Sequence, residues 1–286
     1  MPLRRTLAAA AALALLAAAP ALAQSRWQTQ GVRIATEGAY APWNFTNARG
    51  QLEGFEIELA EDLCKRMTVR CQVVAQDWDG IIPALNAGRY DAIMAGMNIT
   101  DRRLETINFS RIYAAAGAAF GVMPNSPLRS LPGAGTRFNL ATNEAEAIAG
   151  FNAMKAALRG KTIGVQVSTT NSAFLQRYFA DAGATIREYR TTEEHDLDLA
   201  AGRLDAIFAS ITAIQATAEK PEFRGLTTAG PISSFGILGR GVAVGLRKAD
   251  TELQTMFNAA ITAAIADGTL KRLSEKWFTT DISPAS

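Results

Sequence analysis

The chain has 286 residues, 48% of them hydrophobic and 20% charged, an ordinary globular composition. Its 29 Lys+Arg against 27 Asp+Glu fall to 27 against 27 once Arg4 and Arg5 are set aside, which removes the electrostatic case for a nucleic acid or an anionic membrane as partner. With one histidine and two cysteines in the whole sequence, a zinc site is not expected, and neither is any other metal or cofactor.

In chain order, residues 1–23 come first. Arg4 and Arg5 precede an Ala/Leu run over 6–19, and Ala21-Leu22-Ala23 makes a cleavage signal. The run is short and weakly apolar for an anchor, and no Cys stands at the cleavage point to take a lipid. A cleaved signal peptide and a periplasmic protein are expected. A strand at Val32–Thr36 opens the mature fold, followed by a polar-aromatic loop over 37–45 and a turn at 47–50. Phe55, Leu59 and Leu63 then share one helical face. In an oxidising compartment Cys64 and Cys71 suggest one disulfide tying the end of that helix to the next strand, two buried thiols being the alternative. Asp79 reads as the N-cap of a helix containing Ile81, Ile82 and Leu85.

The sequence next begins to repeat itself. Asn86-Ala87-Gly88-Arg89-Tyr90-Asp91-Ala92-Ile93 is echoed by Ala200-Ala201-Gly202-Arg203-Leu204-Asp205-Ala206-Ile207, a glycine closing a helix, a polar turn, then an apolar strand. Each copy follows an earlier apolar strand, the second at 161–166. Two similar α/β lobes are expected, with a cleft beyond the carboxyl ends of their strands. Residues 114–122 and 239–246 read as two strands crossing between lobes. The first lobe would then comprise 24–116 and 240–286, the second 117–239. The glycines near 239 loosely resemble a dinucleotide fingerprint, but no tight strand-turn-helix surrounds them. Between 124 and 160 lies an insertion ending in an Ala-rich surface helix over 143–158, with caps at Thr142 and Gly160. The C-terminal tail carries an amphipathic helix at Thr251–Ala266 and another over 270–278.

Residues 96–103 form a polar loop leading into a helix whose start offers unpaired N–H groups and a positive dipole end, and an arginine there can fork onto a carboxylate. Arg102 and Arg103 diverge by about 100° on a helix, so one of them faces the cleft. Ser168-Thr169-Thr170-Asn171 is the matching hydroxyl-rich helix start in the second lobe. His195, among Glu193, Glu194 and Asp196, is expected to be solvated.

Glu37-Gly38-Ala39-Tyr40-Ala41-Pro42-Trp43, Gly54-Phe55-Glu56-Ile57-Glu58-Leu59-Ala60, Cys64 with Cys71, Asp91 through Arg103, and Gly268-Thr269-Leu270 before Trp277-Phe278 together resemble the bacterial polar amino-acid-binding proteins of ABC importers. The resemblance spans the mature chain and is closest to the lysine/arginine/ornithine, histidine and octopine/nopaline-type binders, leaning to the opine branch. It implies a two-lobed periplasmic binding protein fold (type II), a monomer, and an inner-membrane ABC permease as partner. It also implies roles: Arg103 for the ligand's α-carboxylate with Thr170 as second donor, Tyr40 and Trp78 as rings sandwiching a long side chain, and Glu37 at its cationic end. Ala95, Gly96 and Asn98 would line the ligand by backbone, and Gln166, Ser168 and Asn171 would contact it from the second lobe. One departure stands out. Where basic amino-acid binders have an aspartate for the α-ammonium, this chain has Ala209-Ser210. Ser210 therefore points to a secondary amine or N-substituted ligand such as an opine. The implied function is binding, not catalysis. Its rivals are an enzyme resembling cyclohexadienyl dehydratase, with Glu37 as general acid, a binder of another polar amino acid such as glutamine or histidine, and a sensor module feeding a receptor.

Overall fold

The computed structural model describes residues 25–284, so the signal peptide expected at 1–23 lies outside the described residues. Apolar strands and one-sided helices condense into two α/β lobes. In the first, Val32–Thr36 lies between Cys71–Ala75 and Ala92–Ile93, all parallel; Val242–Leu246 follows antiparallel and Asn108–Ala114 forms the edge. In the second, Thr162–Gln166 lies between Thr185–Tyr189 and Ala206–Ser210, again parallel, and antiparallel Ala118–Val122 is followed by Thr227–Ser234 and Arg137–Asn139. Ala39–Tyr40, Asn44–Thr46 and Leu52–Glu53 make a small antiparallel sheet of their own.

The sequence repeat has a structural cause. Gly88 and Gly202 end their helices at φ 74° and 70°, a region open to glycine at no steric cost. Three residues on, Asp91 Oδ2 accepts from Arg33 N at 3.0 Å and Asp205 Oδ2 accepts from Thr162 N at 2.8 Å. Each aspartate thus satisfies a donor near the start of its lobe's first parallel strand, and Ala92-Ile93 and Ala206-Ile207 then enter the sheets fully buried.

Sheet membership changes at 115–117 and again between Ser234 and Val242. Residues 114–122, expected as one strand, are the end of Asn108–Ala114 in the first sheet and Ala118–Val122 in the second. Gly117 sits at the break because a Cβ there would lie 2.5 Å from Ile232 Cγ2. The strand expected from 239 begins only at Val242, since Gly239 and Gly241, at φ 98° and 118°, are not extended. The tail helices Thr251–Ala266 and Thr269–Phe278 return to the first lobe, burying Phe257, Ile261, Leu270 and Phe278 in its core. Cys64 and Cys71 are disulfide-bonded, with Cα atoms 6.1 Å apart.

Two helix starts differ from expectation. Asp79 lies inside a short 3₁₀ turn, Trp78–Gly80, and the helix Ile81–Asn86 has Gly80 at its N-cap. Thr142 does not cap Glu144–Leu158; its hydroxyl donates to Asn143 Oδ1 at 2.6 Å, and Asn143 holds the cap position without a side-chain bond to the helix backbone. That helix covers the second lobe, where Phe151 packs against Phe138, Phe174, Tyr178 and Phe179.

Candidate ligand-binding cleft

Glu37, Ala95, Gln166 and Ser210 all stand at or just beyond the carboxyl ends of parallel strands, and the two sheets turn these ends toward one cavity between the lobes. Its first-lobe wall includes Glu37, Tyr40, Trp78, Ala95, Gly96, Asn98 and Arg103; its second-lobe wall includes Gln166, Thr170, Asn171 and Ser210. Ser168 is the exception among the expected contacts. At φ 59° its side chain turns out to the surface, where Oγ donates to Asp79 Oδ1 across the mouth of the cleft at 3.0 Å.

Arg103 is in the cavity and Arg102 is exposed. Its guanidinium lies over Trp78, Cζ 5.1 Å from the ring centroid, and Nη1 donates to the Asn98 carbonyl at 2.8 Å. No carboxylate of the described residues pairs with it. Burial, with a smaller push from Arg102, lowers its pKa to about 10, so it stays cationic at neutral pH. The preceding expectation of a helix dipole needs correction: the helix is one turn, Asp101–Leu104, with Arg103 N already taken by Thr100 Oγ1. Too few peptides align there to make a strong dipole, and the site's positive charge is the guanidinium itself.

At another point of the wall stands Glu37, 8% exposed. Burial, reinforced by the nearby Glu56 and Asp77 charges, raises its pKa to about 7 against the opposing hydrogen bond from Gln166 Nε2 at 2.6 Å. Among the described residues it is the one carboxyl group in the lining, and Ser210 Oγ lies 2.8 Å from Thr212 Oγ1. Tyr40 stacks on Trp43 at 6.2 Å and 7°, and burial raises its phenol pKa while the Ser210 hydroxyl opposes the shift.

Sequence reasoning gave Glu56 no role. It is 1% exposed and accepts from Asn44 Nδ2 at 2.6 Å, from Gly96 N at 2.7 Å and from the Tyr113 hydroxyl. Burial raises its pKa. Those bonds fix Gly96 under Tyr40, so closely that a Cβ on Gly96 would lie 2.7 Å from Tyr40 Cε1. Trp43, Thr192, His195, Phe208 and Leu238 also line the cavity unforeseen. The expectation of a solvated His195 is wrong: the ring is 1% exposed. Thr192 and His195 lie three apart on the helix Thr192–Ala200, a spacing that could have placed both on the inward face.

Further bonds join the lobes. Trp43 Nε1 donates to Thr212 Oγ1 at 2.9 Å, both groups buried, and Arg190 Nη2 to Asp77 Oδ2 at 2.6 Å on the surface. One cation, one carboxyl group, aromatic faces and a ring of hydroxyl and amide groups suit a small zwitterion with a long side chain.

The family profile described as bacterial extracellular solute-binding proteins, family 3, matches residues 32–280. The octopine-binding periplasmic protein of Rhizobium meliloti is 45% identical over 279 residues, 91% of this chain and 94% of that one. A periplasmic His/Glu/Gln/Arg/opine family-binding protein from Silicibacter pomeroyi, solved in complex with lysine, superposes with a TM-score of 0.69 at 33% identity, over 89% of this chain and 100% of that one. An ancestral amino acid-binding protein described as a precursor of cyclohexadienyl dehydratase superposes with a TM-score of 0.72 at 27% identity, over 88% and 97%.

Proposed function

Since the chain belongs to the bacterial extracellular solute-binding proteins of family 3, we propose that it captures a cationic amino acid or an opine-type derivative in the periplasm and presents it to an ABC permease. The observation that carries the reading is Arg103, charged, stacked on Trp78 and without a carboxylate among the described residues, in the same cavity as Glu37. A ligand carboxylate would complete the first as a charge-assisted fork, and a guanidinium or ammonium would complete the second. Thr170 and Asn171 add donors from the other lobe, and Tyr40 with Trp78 flank the side chain. Ser210 in place of an acid favours a nitrogen that already carries a substituent, which fits the relationship to the octopine binder. On this reading residues 1–23 are removed on export, the protein acts as a monomer, and the units 24–116 with 240–286, and 117–239, close about the two connecting segments.

The test is calorimetry with arginine, lysine, ornithine, histidine, glutamine, octopine and nopaline, on wild type and Ser210→Asp. Wild type should prefer an N-substituted ligand to free arginine, and Ser210→Asp should reverse that order by pairing with the primary ammonium. Silence across the panel would overturn the reading. A second reading takes the cavity as a dehydratase site, because Glu37 with a pKa of about 7 suits general-acid work. Turnover of a cyclohexadienyl substrate that is lost in Glu37→Gln, with no binding of the panel, would establish it instead.

A further inference from the structure

His195 is the single histidine of the chain and is 1% exposed, yet neither ring nitrogen has a hydrogen-bond partner among the described residues. Leaving both in that state costs free energy unless something completes them. Its surroundings are built to orient the ring. Nδ1 lies 3.0 Å from Asp196 Oδ1, without the alignment of a hydrogen bond, and the other oxygen of Asp196 accepts from Thr217 Oγ1 at 2.8 Å. Tyr189 meets the ring edge to face, with centroids 6.1 Å apart.

The ring also lies at one definite end of the cavity. A Cβ on Gly164 would sit 3.1 Å from His195 Cβ, and Gly164 and Gln166 are alternate residues of one strand, so both present the same face. Gln166 is the residue that donates to Glu37. One turn earlier on the His195 helix, Thr192 Oγ1 lies 3.4 Å from the Ala39 carbonyl, two residues beyond Glu37. His195 therefore belongs to the Glu37 end.

We infer that His195 is a specificity-determining ligand contact: in the neutral tautomer protonated at Nδ1, its Nε2 accepts a hydrogen bond from the cationic tip of the bound molecule. This rests on the reading of the cleft as a site for a cationic amino acid or its derivative. A guanidinium has five N–H donors in one plane, and a carboxylate takes two of them. An imidazole acceptor at the Glu37 end takes another, where a leucine would leave the donor unpaired.

The single histidine makes the test direct, because its two ¹⁵N imidazole resonances have no others to be confused with. Saturating wild type with arginine, or with octopine, should move the Nε2 signal in the direction of an accepted hydrogen bond while Nδ1 stays protonated. His195→Leu should keep or raise the melting temperature of the ligand-free protein and weaken arginine about tenfold or more, the loss of one hydrogen bond to a charged group. His195→Gln, which restores an acceptor, should recover part of that loss. Imidazole signals that do not respond to a bound ligand, or unchanged affinity in His195→Leu, would overturn the inference and leave the function standing. If wild type binds no cationic ligand of the panel, the function itself falls, and this contact falls with it.

Discussion

Arg103 keeps its charge in a place where no carboxylate of the described residues reaches it, so on the proposed reading its ion pair is completed by the bound ligand. Arg103→Ala should weaken every carboxylate-bearing ligand by at least about thirtyfold, since truncating one member of a buried charge pair costs about 2–5 kcal/mol. The ligand-free protein should melt no lower, because an uncompensated buried cation has been removed. Calorimetry and a thermal melt check both halves. Glu37 behaves in the opposite sense. Its pKa, raised from 4.5 to about 7, means that the folded state holds a proton the unfolded state has lost between those values. That contribution is fully present below 4.5 and declines as pH rises through 7, by about 3 kcal/mol in the limit. A cationic ligand reverses the shift by favouring the carboxylate. Binding near pH 7 should therefore release about half a proton, read by calorimetry in buffers of different ionisation enthalpy, and affinity should fall up to about tenfold per pH unit below 6. Zero proton release would remove Glu37 from the cationic end. Both residues were legible in the sequence through their motifs. His195 was not, because its acidic neighbours in sequence suggested solvent, and only packing against Tyr189 and Gly164 buries it.

The short strand Ala92–Ile93 and the segment after it form the element on which the first-lobe wall is built. Gly96 stands at φ 60°, with its N–H on Glu56 and its α-carbon under the Tyr40 ring. Alanine there meets two obstacles: the left-handed region costs about 1 kcal/mol for a residue with a Cβ, and the methyl would lie 2.7 Å from Tyr40 Cε1. Gly96→Ala should lower stability by about 1–2 kcal/mol in a denaturant titration. It should also weaken ligand binding by displacing Tyr40, a loss that would be absent if the ring took no part. The repeat units were legible for a related reason. A glycine that ends a helix and an aspartate that accepts a strand N–H are local devices, and local devices leave fixed spacings in sequence. Asp79 shows the limit of such reasoning: as a potential cap it looked sound, but Trp78–Gly80 forms a 3₁₀ turn first and its carboxylate goes to Ser168 of the other lobe.

Across the whole molecule, the lobes are linked by pairs of different weight. Arg190 with Asp77 is an exposed pair, of a kind that contributes about 0–1 kcal/mol. Trp43 with Thr212 is buried, and its loss should be felt more. Trp43→Phe removes that donor and keeps an aromatic ring at the position. It should weaken ligand about three- to tenfold, the worth of one net hydrogen bond, and shift solution scattering of the complex toward the more extended form. Equal affinity in the variant would show that closure does not draw on this contact.

The sequence by itself determined what depends on neighbours along the chain: the apolar strands, the glycine-closed helices, the two lobes that repeat them, and the motif residues that stand at strand ends. Tertiary structure decided whatever depends on residues far apart in sequence and close in space. Gly117 stands where a run of small residues divides into two strands, and Ile232 occupies the space a side chain there would need. Ser168 leaves the cavity because Asp79 meets it at the mouth. Glu56, 40 positions from Gly96 along the chain, fixes its backbone. The raised pKa of Glu37 comes from desolvation by its folded surroundings, while Gln166, 129 positions along the chain, donates to it and opposes the shift, an effect of burial that no spacing along the chain encodes.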